Sequence, residues 1–288
     1  MCYFWHLFVK LLINQMKAAV YIGKHSPESV LRLERMYEDL RNGGCSLYEL
    51  KDGDKLSADT DMIFSVGGDG TFLSVSHLVA DSGVPVVGVN LGRVGFLSEN
   101  RPEDVASAIL NCDYTIEDRS LLEAVLDDTG RSIYALNEVA VHRSGAAMLG
   151  VDVLLDGVQL PTFWADGLVV STSSGSTAYS LSVGGPIVLP GTKALIIAPI
   201  APHNLNVRPL VVPDTSVIRL KMHSRDGSCA FTADNRTGEV PEGTEVSLRM
   251  AQFSLKRVRL NKSNFINALT EKLYWGEDLR NSIDGEDD

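Results

Sequence analysis

Gly67-Gly68-Asp69-Gly70-Thr71 sets one carboxylate among three glycines, directly after the apolar run Met62-Ile63-Phe64-Ser65-Val66. Glycines reach backbone angles closed to other residues and let main-chain N–H groups approach a ligand with no Cβ in the way, so such a segment can wrap phosphate oxygens. Thr71 is placed to cap a helix from Phe72 to Ala80, whose amino end adds partial positive charge facing the same phosphates. A carboxylate beside polyphosphate is electrostatically unwelcome unless it binds a metal ion, accepts a proton or orients a hydroxyl. Asp69 therefore points to phosphoryl transfer rather than passive holding. The plain alternative is a solvated Gly-Asp-Gly turn, against which the strand before and the helix after both count.

Two further constellations follow. The stretch from Asp166-Gly167 through Ser171-Thr172-Ser173-Ser174-Gly175-Ser176-Thr177-Ala178-Tyr179-Ser180 joins an apolar strand to a hydroxyl- and glycine-rich turn. Hydroxyls and backbone N–H groups bind amides, ribose and phosphate without adding charge, and Tyr179 offers a flat face for a base or nicotinamide ring; the other reading is an ordinary Ser/Thr loop. Asn137-Glu138 stands inside an otherwise apolar strand, between Ala135-Leu136 and Val139-Ala140-Val141. Neighbours on a strand point to opposite faces, so at least one of the pair faces the core or a ligand, where a carboxylate needs a partner. Ribose hydroxyls would serve; an edge strand with Glu138 in water is the competing account.

The elements that must position these groups are legible in outline. Lys17 to Ile22 reads as a strand, Ser26-Pro27-Glu28 as a helix start, and Leu33, Met36, Tyr37 and Leu40 as one helical face ended by Gly43-Gly44. Strand-like runs at 46–50, 62–66 and 84–89 alternate with helical ones at 72–80 and 102–111, which predicts a parallel sheet covered on both faces, with ligands beyond the carboxyl ends of its strands. From about Ser120 the texture changes to short apolar runs at 121–126, 133–142, 151–155, 168–171, 194–197, 217–222 and 245–250. Asp128-Thr129-Gly130, Asp156-Gly157 and Asp226-Gly227 are hairpin signals among them, predicting a mostly antiparallel β domain. Phe265, Ile266, Leu269 and Leu273 mark a last helix stopped by Gly276, and an acidic, disordered tail runs to Asp288. The expected organisation is thus a non-native or disordered extension over 1–15, a Rossmann-like α/β nucleotide-binding domain over 16–119, a β-rich domain over 120–262, and a terminal helix and tail over 263–288.

Composition narrows the class. With 288 residues, 44% hydrophobic and 22% charged, the chain is long enough for two medium cores. Its net charge of −11 argues against nucleic acid or an anionic membrane as partner, since both need a basic surface. Cys2, Cys45, Cys112 and Cys229 lie far apart, as free thiols in a reducing cytosol would. The six histidines are equally scattered, so a metal would be oxygen-ligated and shared with phosphate. The apolar run Cys2 to Ile13 is broken by Lys10, falls short of the ~20 residues that cross a bilayer, and lacks a signal peptide's basic segment and cleavage site.

Taken in order, these segments resemble the NAD kinase family. The likeness rests on the Gly67–Thr71 loop, on Asn137-Glu138, and on Asp166-Gly167 followed by Gly175 through Ser182 and Gly184-Gly185-Pro186; Pro199 to Asn204 and Arg208-Pro209-Leu210 continue it. The resemblance implies phosphorylation of the adenosine 2′-hydroxyl of NAD by ATP with a divalent metal (Mg2+ or Mn2+), giving NADP, in a cytoplasmic homo-oligomer, dimer or tetramer. On matching positions it implies Asp69 as the catalytic carboxylate, Gly67, Gly68, Gly70 and Thr71 at the phosphates, and Asn137 and Glu138 on the adenosine and ribose groups of NAD. Asp166 with Thr177, Ala178, Tyr179, Ser180, Leu181 and Ser182 would complete the dinucleotide site. Departures from the family pattern stand at Ser173-Ser174, often Pro-Thr; at Asp234-Asn235-Arg236, often Asp-Gly-Gln; and at Trp164, basic in some members. Two other readings use the same residues: a lipid kinase, which needs an acyl-chain cleft, and a dinucleotide sensor without catalysis, which gains little from Asp69.

Overall fold

The computed structural model describes residues 16–23, 30–92, 95–127, 129–260 and 265–275. The expected extension over 1–15, the helix start at Ser26-Pro27-Glu28, Asp128 of one hairpin signal, the Gly276 stop and the acidic tail lie outside the described residues.

Strands β1 (Lys17–Ile22), β2 (Ser46–Leu50), β3 (Met62–Val66) and β4 (Val86–Val89) form a parallel sheet in the order β2-β1-β3-β4. Period-two alternation sends Ala18 and Val20 to one face, where they meet Leu33, Met36 and Leu40 of helix α1 (Val30–Asn42). Ala19, Tyr21 and Ile63 go to the other face, against Phe72, Val75 and Val79 of helix α2 (Asp69–Val79). Helix α3 (Pro102–Leu110) joins α1 through Val105, Ala106 and Ile109. A strand covered on both faces favours apolar residues along its length, which is why β3 reads as an apolar run, interrupted by Ser65, and is buried throughout.

The second half is a sandwich. One sheet, in the order β13-β12-β11-β7-β15-β16, consists of β7 (Glu138–Arg143), β11 (Gly167–Thr172), β12 (Ala194–Ile200), β13 (Leu210–Pro213), β15 (Ser228–Ala233) and β16 (Arg236–Pro241), all antiparallel. Facing it lie β5 (Tyr114–Leu126), β6 (Arg131–Ala135), β8 (Leu149–Leu155), β9 (Val158–Gln159), β10 (Phe163–Ala165), β14 (Ile218–His223) and β17 (Glu245–Leu260). Leu122, Val151, Leu220 and Leu248 of these strands interdigitate with Val139, Val141, Leu168, Leu195 and Phe231 of the first sheet. The outer face of that first sheet carries Ala140, Val169, Ile196 and Ala198, covered by the short helix α4 (Tyr179–Ser182) through Tyr179 and Val183.

Strand β17 ties the halves together. It pairs with β14 near its start and with β5 along its length, bulges between Met250 and Ser254, and then runs parallel to β4 at Arg257-Val258. The antiparallel and parallel strands are therefore one continuous sheet. Helix α5 (Phe265–Leu273) follows, with Phe265 packed on Phe96 of the loop after β4.

Two local expectations are corrected. The helix after the glycine loop begins at Asp69, with Gly68 as its N-cap and no side-chain cap; Thr71 lies inside the first turn and its hydroxyl packs on backbone instead. The single strand expected over 133–142 is two strands in different sheets, with Leu136-Asn137 at the crossing. The crossing is feasible because the Asp234 carboxylate accepts the Leu136, Asn137 and Glu138 N–H groups, replacing a ladder's partners.

Candidate active site

The glycine loop joins the end of β3 to α2. Gly67, at φ 151°, is in the region that favours glycine, and a Cβ there would fall 2.3 Å from Thr71 Oγ1. A Cβ at Gly23, after β1, would fall 2.2 Å from the same hydroxyl. Thr71 thus packs the helix onto two strand ends, and a side chain at either glycine would push it off. The first N–H groups of an α-helix have no carbonyl one turn back, and no side chain caps them here; the Thr71 N–H turns back to the Gly68 carbonyl at 3.0 Å, which leaves those of Asp69 and Gly70 for a ligand. The start of α2 borders a cleft of about 830 Å³ lined by Tyr21, Gly23, Gly70, Thr71, Ser74 and Asp52. Across it, the Tyr21 hydroxyl donates to Asp52 at 2.5 Å, and burial followed by Asp52 raises the Tyr21 pKa.

Asp69 faces the loop after β4. Its Oδ2 accepts the Phe96 N–H at 2.8 Å, and its Oδ1 accepts those of Leu97 and Ser98 at 3.0 and 2.8 Å. The Ser98 hydroxyl donates to the Gly68 carbonyl at 3.2 Å, binding the two loops twice over. Asn90 shapes the partner loop by donating to the Ser98 carbonyl and accepting the Gly92 N–H. Gly95 is indispensable there, because a Cβ would fall 1.8 Å from Asp69 Oδ1. A carboxylate offers about four lone-pair sites, so three amide bonds leave about one, on the less occupied Oδ2, for a ligand. The sequence reading missed residues 90–98; its available signal was Gly92 and Gly95 three apart, directly after a strand.

The Asn137-Glu138 pair stands at the crossing between sheets, brought to the glycine loop by the hairpin turn Asp234-Asn235. The Asp234 side chain is fully buried; burial raises its pKa while the three N–H bonds oppose that shift. Asn235 Nδ2 reaches the Gly70 carbonyl at 3.3 Å and Ser74 Oγ at 3.0 Å, so one turn grips both the start of β7 and the start of α2. Burial, then the nearness of Asp234, pushes the Glu138 carboxyl up to about 8, opposed by the Tyr179 N–H. Its Oε2 is buried without a hydrogen bond among the described residues. His77 of α2 approaches Asp234 at 3.7 Å, but burial and then Arg236 hold it down at about 4, so this is no ion pair at neutral pH.

The hydroxyl-rich turn closes over this pair. Gly175 lies so near that a Cβ would meet the Asn137 carbonyl at 2.1 Å, and Thr172 donates to the Leu136 carbonyl at 2.6 Å. Tyr179 stacks on His142 with ring centroids 5.6 Å apart, while Ser180 is buried and Thr177, Ala178, Leu181 and Ser182 reach the surface in part or wholly. Asp166 is at the other end of the β7–β11 ladder from Glu138, which pairs with Ser171; it bonds Arg143 at 2.7 Å. Burial first, then Glu138 and Asp166, raises the Tyr179 phenol, so the ring bridges the two ends. Arg236 donates to the Tyr134 carbonyl, bracing β6, and Trp164 packs on Gly150 of β8 with 44% of its surface exposed.

A parallel α/β half with a glycine loop and an anchored carboxylate at its strand ends, joined to an antiparallel half through β17 and the Asn235 side chain, has the layout of a small-molecule kinase. The chain belongs to the NAD kinase family. Family models described as the ATP-NAD kinase N-terminal and C-terminal domains match residues 12–113 and 136–260. An NAD kinase of Porphyromonas gingivalis is 39% identical over 92% of this chain and 99% of its own length; one of Bacteroides fragilis is 41% identical over 79% and 80%. Among solved structures, an NAD kinase from Archaeoglobus fulgidus in complex with ATP is similar at TM-score 0.75 and 28% identity, covering 90% of this chain and 99% of that one. Yeast NADH kinase complexed with NADH is similar at TM-score 0.79 and 25% identity, covering 93% and 90%.

Proposed function

We propose that the chain transfers the terminal phosphoryl group of ATP to the adenosine 2′-hydroxyl of NAD, giving NADP, with Asp69 as the catalytic carboxylate. The observation that supports this reading is Asp69, held by three amides at the start of α2, with the next two residues, Gly70 and Thr71, lining the cleft. ATP phosphates would lie against Gly67, Gly68, Gly70 and Thr71. NAD would lie against Asn137, Glu138 and Thr177 through Ser182, with Asp166 and Tyr179 toward its far end. The hydroxyl donates to the remaining Asp69 lone pair; its oxygen attacks phosphorus as the bond to the departing ADP oxygen breaks, and the proton passes to Asp69. Most of the rate comes from holding the hydroxyl in line and compensating charge.

Among the described residues no three His, Cys, Asp or Glu side chains form a metal site. The Asp52 carboxylate and the Thr71 and Ser74 hydroxyls on the cleft do suit a divalent ion (Mg2+ or Mn2+) that arrives on the donor and needs one or two carboxylates. Such an ion would neutralise phosphate charge. The working form we propose is a cytoplasmic homo-oligomer, dimer or tetramer. Leu205, Leu210 and Val211, 86%, 39% and 49% exposed, support assembly, as do free Cys45, Cys112 and Cys229 the reducing compartment. Among the described residues no helix is long and apolar enough to cross a membrane. The domain limits we propose are 16–119 and 120–262, with β17 shared between their sheets.

The test is incubation with Mg2+, NAD and ATP, scored for NADP by a specific dehydrogenase. Asp69→Asn is expected to bind NAD normally and to turn over on the order of 10²-fold more slowly or worse. NAD binding without NADP formation by the unaltered protein would favour a sensor instead.

A further inference from the structure

The terminal helix delivers a cation to the same place. The Phe265 ring of α5 lies 5.8 Å from that of Phe96, and Lys272 Nζ stands 3.9 Å above the Phe96 ring centroid. Phe96 is also the residue whose N–H holds Asp69 Oδ2. Lys272 Nζ is buried and makes no hydrogen bond with any described residue. Burial lowers its pKa, while Asp69 and then Glu99 act to raise it, so the ammonium is within electrostatic reach of Asp69. Arg257, a cation whose charge also bears on it, is paired with Glu99 at 2.5 Å and Glu117 at 3.4 Å.

A buried ammonium with three N–H donors, a π face against it and no hydrogen bond to any described residue is poorly compensated, because a cation–π contact and unbonded carboxylates recover less than hydrogen-bonded anions do. Four rotatable carbons let the ammonium swing off the ring without moving α5. What would draw it is an anion with several acceptor oxygens beside Asp69.

We propose that Lys272 is a further catalytic residue, leaving the Phe96 ring to contact the transferring phosphoryl group and neutralise its equatorial oxygens. This rests on the kinase reading above and adds a side-chain cation to the divalent ion already proposed there. A separate role as a helix anchor would leave chemistry untouched.

The test uses the full chain with Mg2+, ATP and NAD. Failure of the unaltered enzyme to form NADP would sink the kinase reading itself, independently of Lys272. Given that activity, Lys272→Met should lower kcat on the order of 10²-fold with NAD affinity within about twofold and the melting temperature kept; Lys272→Arg should retain kcat within about tenfold. If Lys272→Met does not fold, Lys272→Gln takes its place with the same readings. A neutral variant with near-normal kcat overturns the proposal. So does a loss confined to NAD affinity, or equal damage and equal loss of melting temperature in the neutral and arginine variants.

Discussion

Asp69 is held by backbone, and backbone contacts tolerate no added bulk. A Cβ at Gly95 would occupy a point 1.8 Å from Asp69 Oδ1, so the loop or the carboxylate must move. Displacements of about 1 Å cost on the order of 10²-fold in well-oriented reactions. Gly95→Ala is therefore expected to lower kcat by about that factor while far-ultraviolet circular dichroism stays native. Retained kcat in a folded Gly95→Ala protein would show that the amide grip on Asp69 does not set the geometry of transfer. The same logic holds at two other glycines: Gly67 admits Thr71, and Gly175 admits the Asn137 carbonyl.

Three elements converge where α2, the start of β7 and the Asp234-Asn235 turn meet, and their titrating groups oppose one another. Glu138 is raised from 4.5 to about 8, so the folded protein holds a proton that the unfolded chain has lost, and stability falls as pH rises through that window. His77 is lowered from 6.5 to about 4, so stability falls as pH drops through its window. Above pH 6.5 only the glutamate acts of the two. Glu138→Gln should accordingly flatten the decline in melting temperature between about pH 6.5 and 8, measured by scanning calorimetry without ligand. A slope identical to that of the unaltered protein would place the proton elsewhere.

At the level of the whole molecule, β17 makes the parallel and antiparallel strands one sheet, so the two halves share a strand rather than a flexible linker. Hydrogen bonds of Asn235 to Gly70 and Ser74 add a second tie between the halves. The edge of the other sheet is less finished. Strand β13 exposes Leu210 and Val211, and the Trp164 carbonyl accepts the His203 N–H at the approach to that edge. Pairing with a second copy would cover this apolar edge. Sedimentation velocity should show the unaltered protein as dimer or tetramer and Val211→Glu shifted toward monomer; a monomeric unaltered protein would remove the assembly from the account.

The amino-acid pattern by itself determined the alternation of strands and helices, the glycine loop between β3 and α2, and the three polar constellations, because burial on one face or two leaves a local period. It could not determine which loops meet. The amides that hold Asp69 lie 27 to 29 residues on, and Asp234 grips the start of β7 from 96 to 98 residues away. Strand order brings them together, and it also divides one apolar run, 133–142, between two sheets. Periodicity reports how deeply a face is buried; only the packed chain decides what it is buried against.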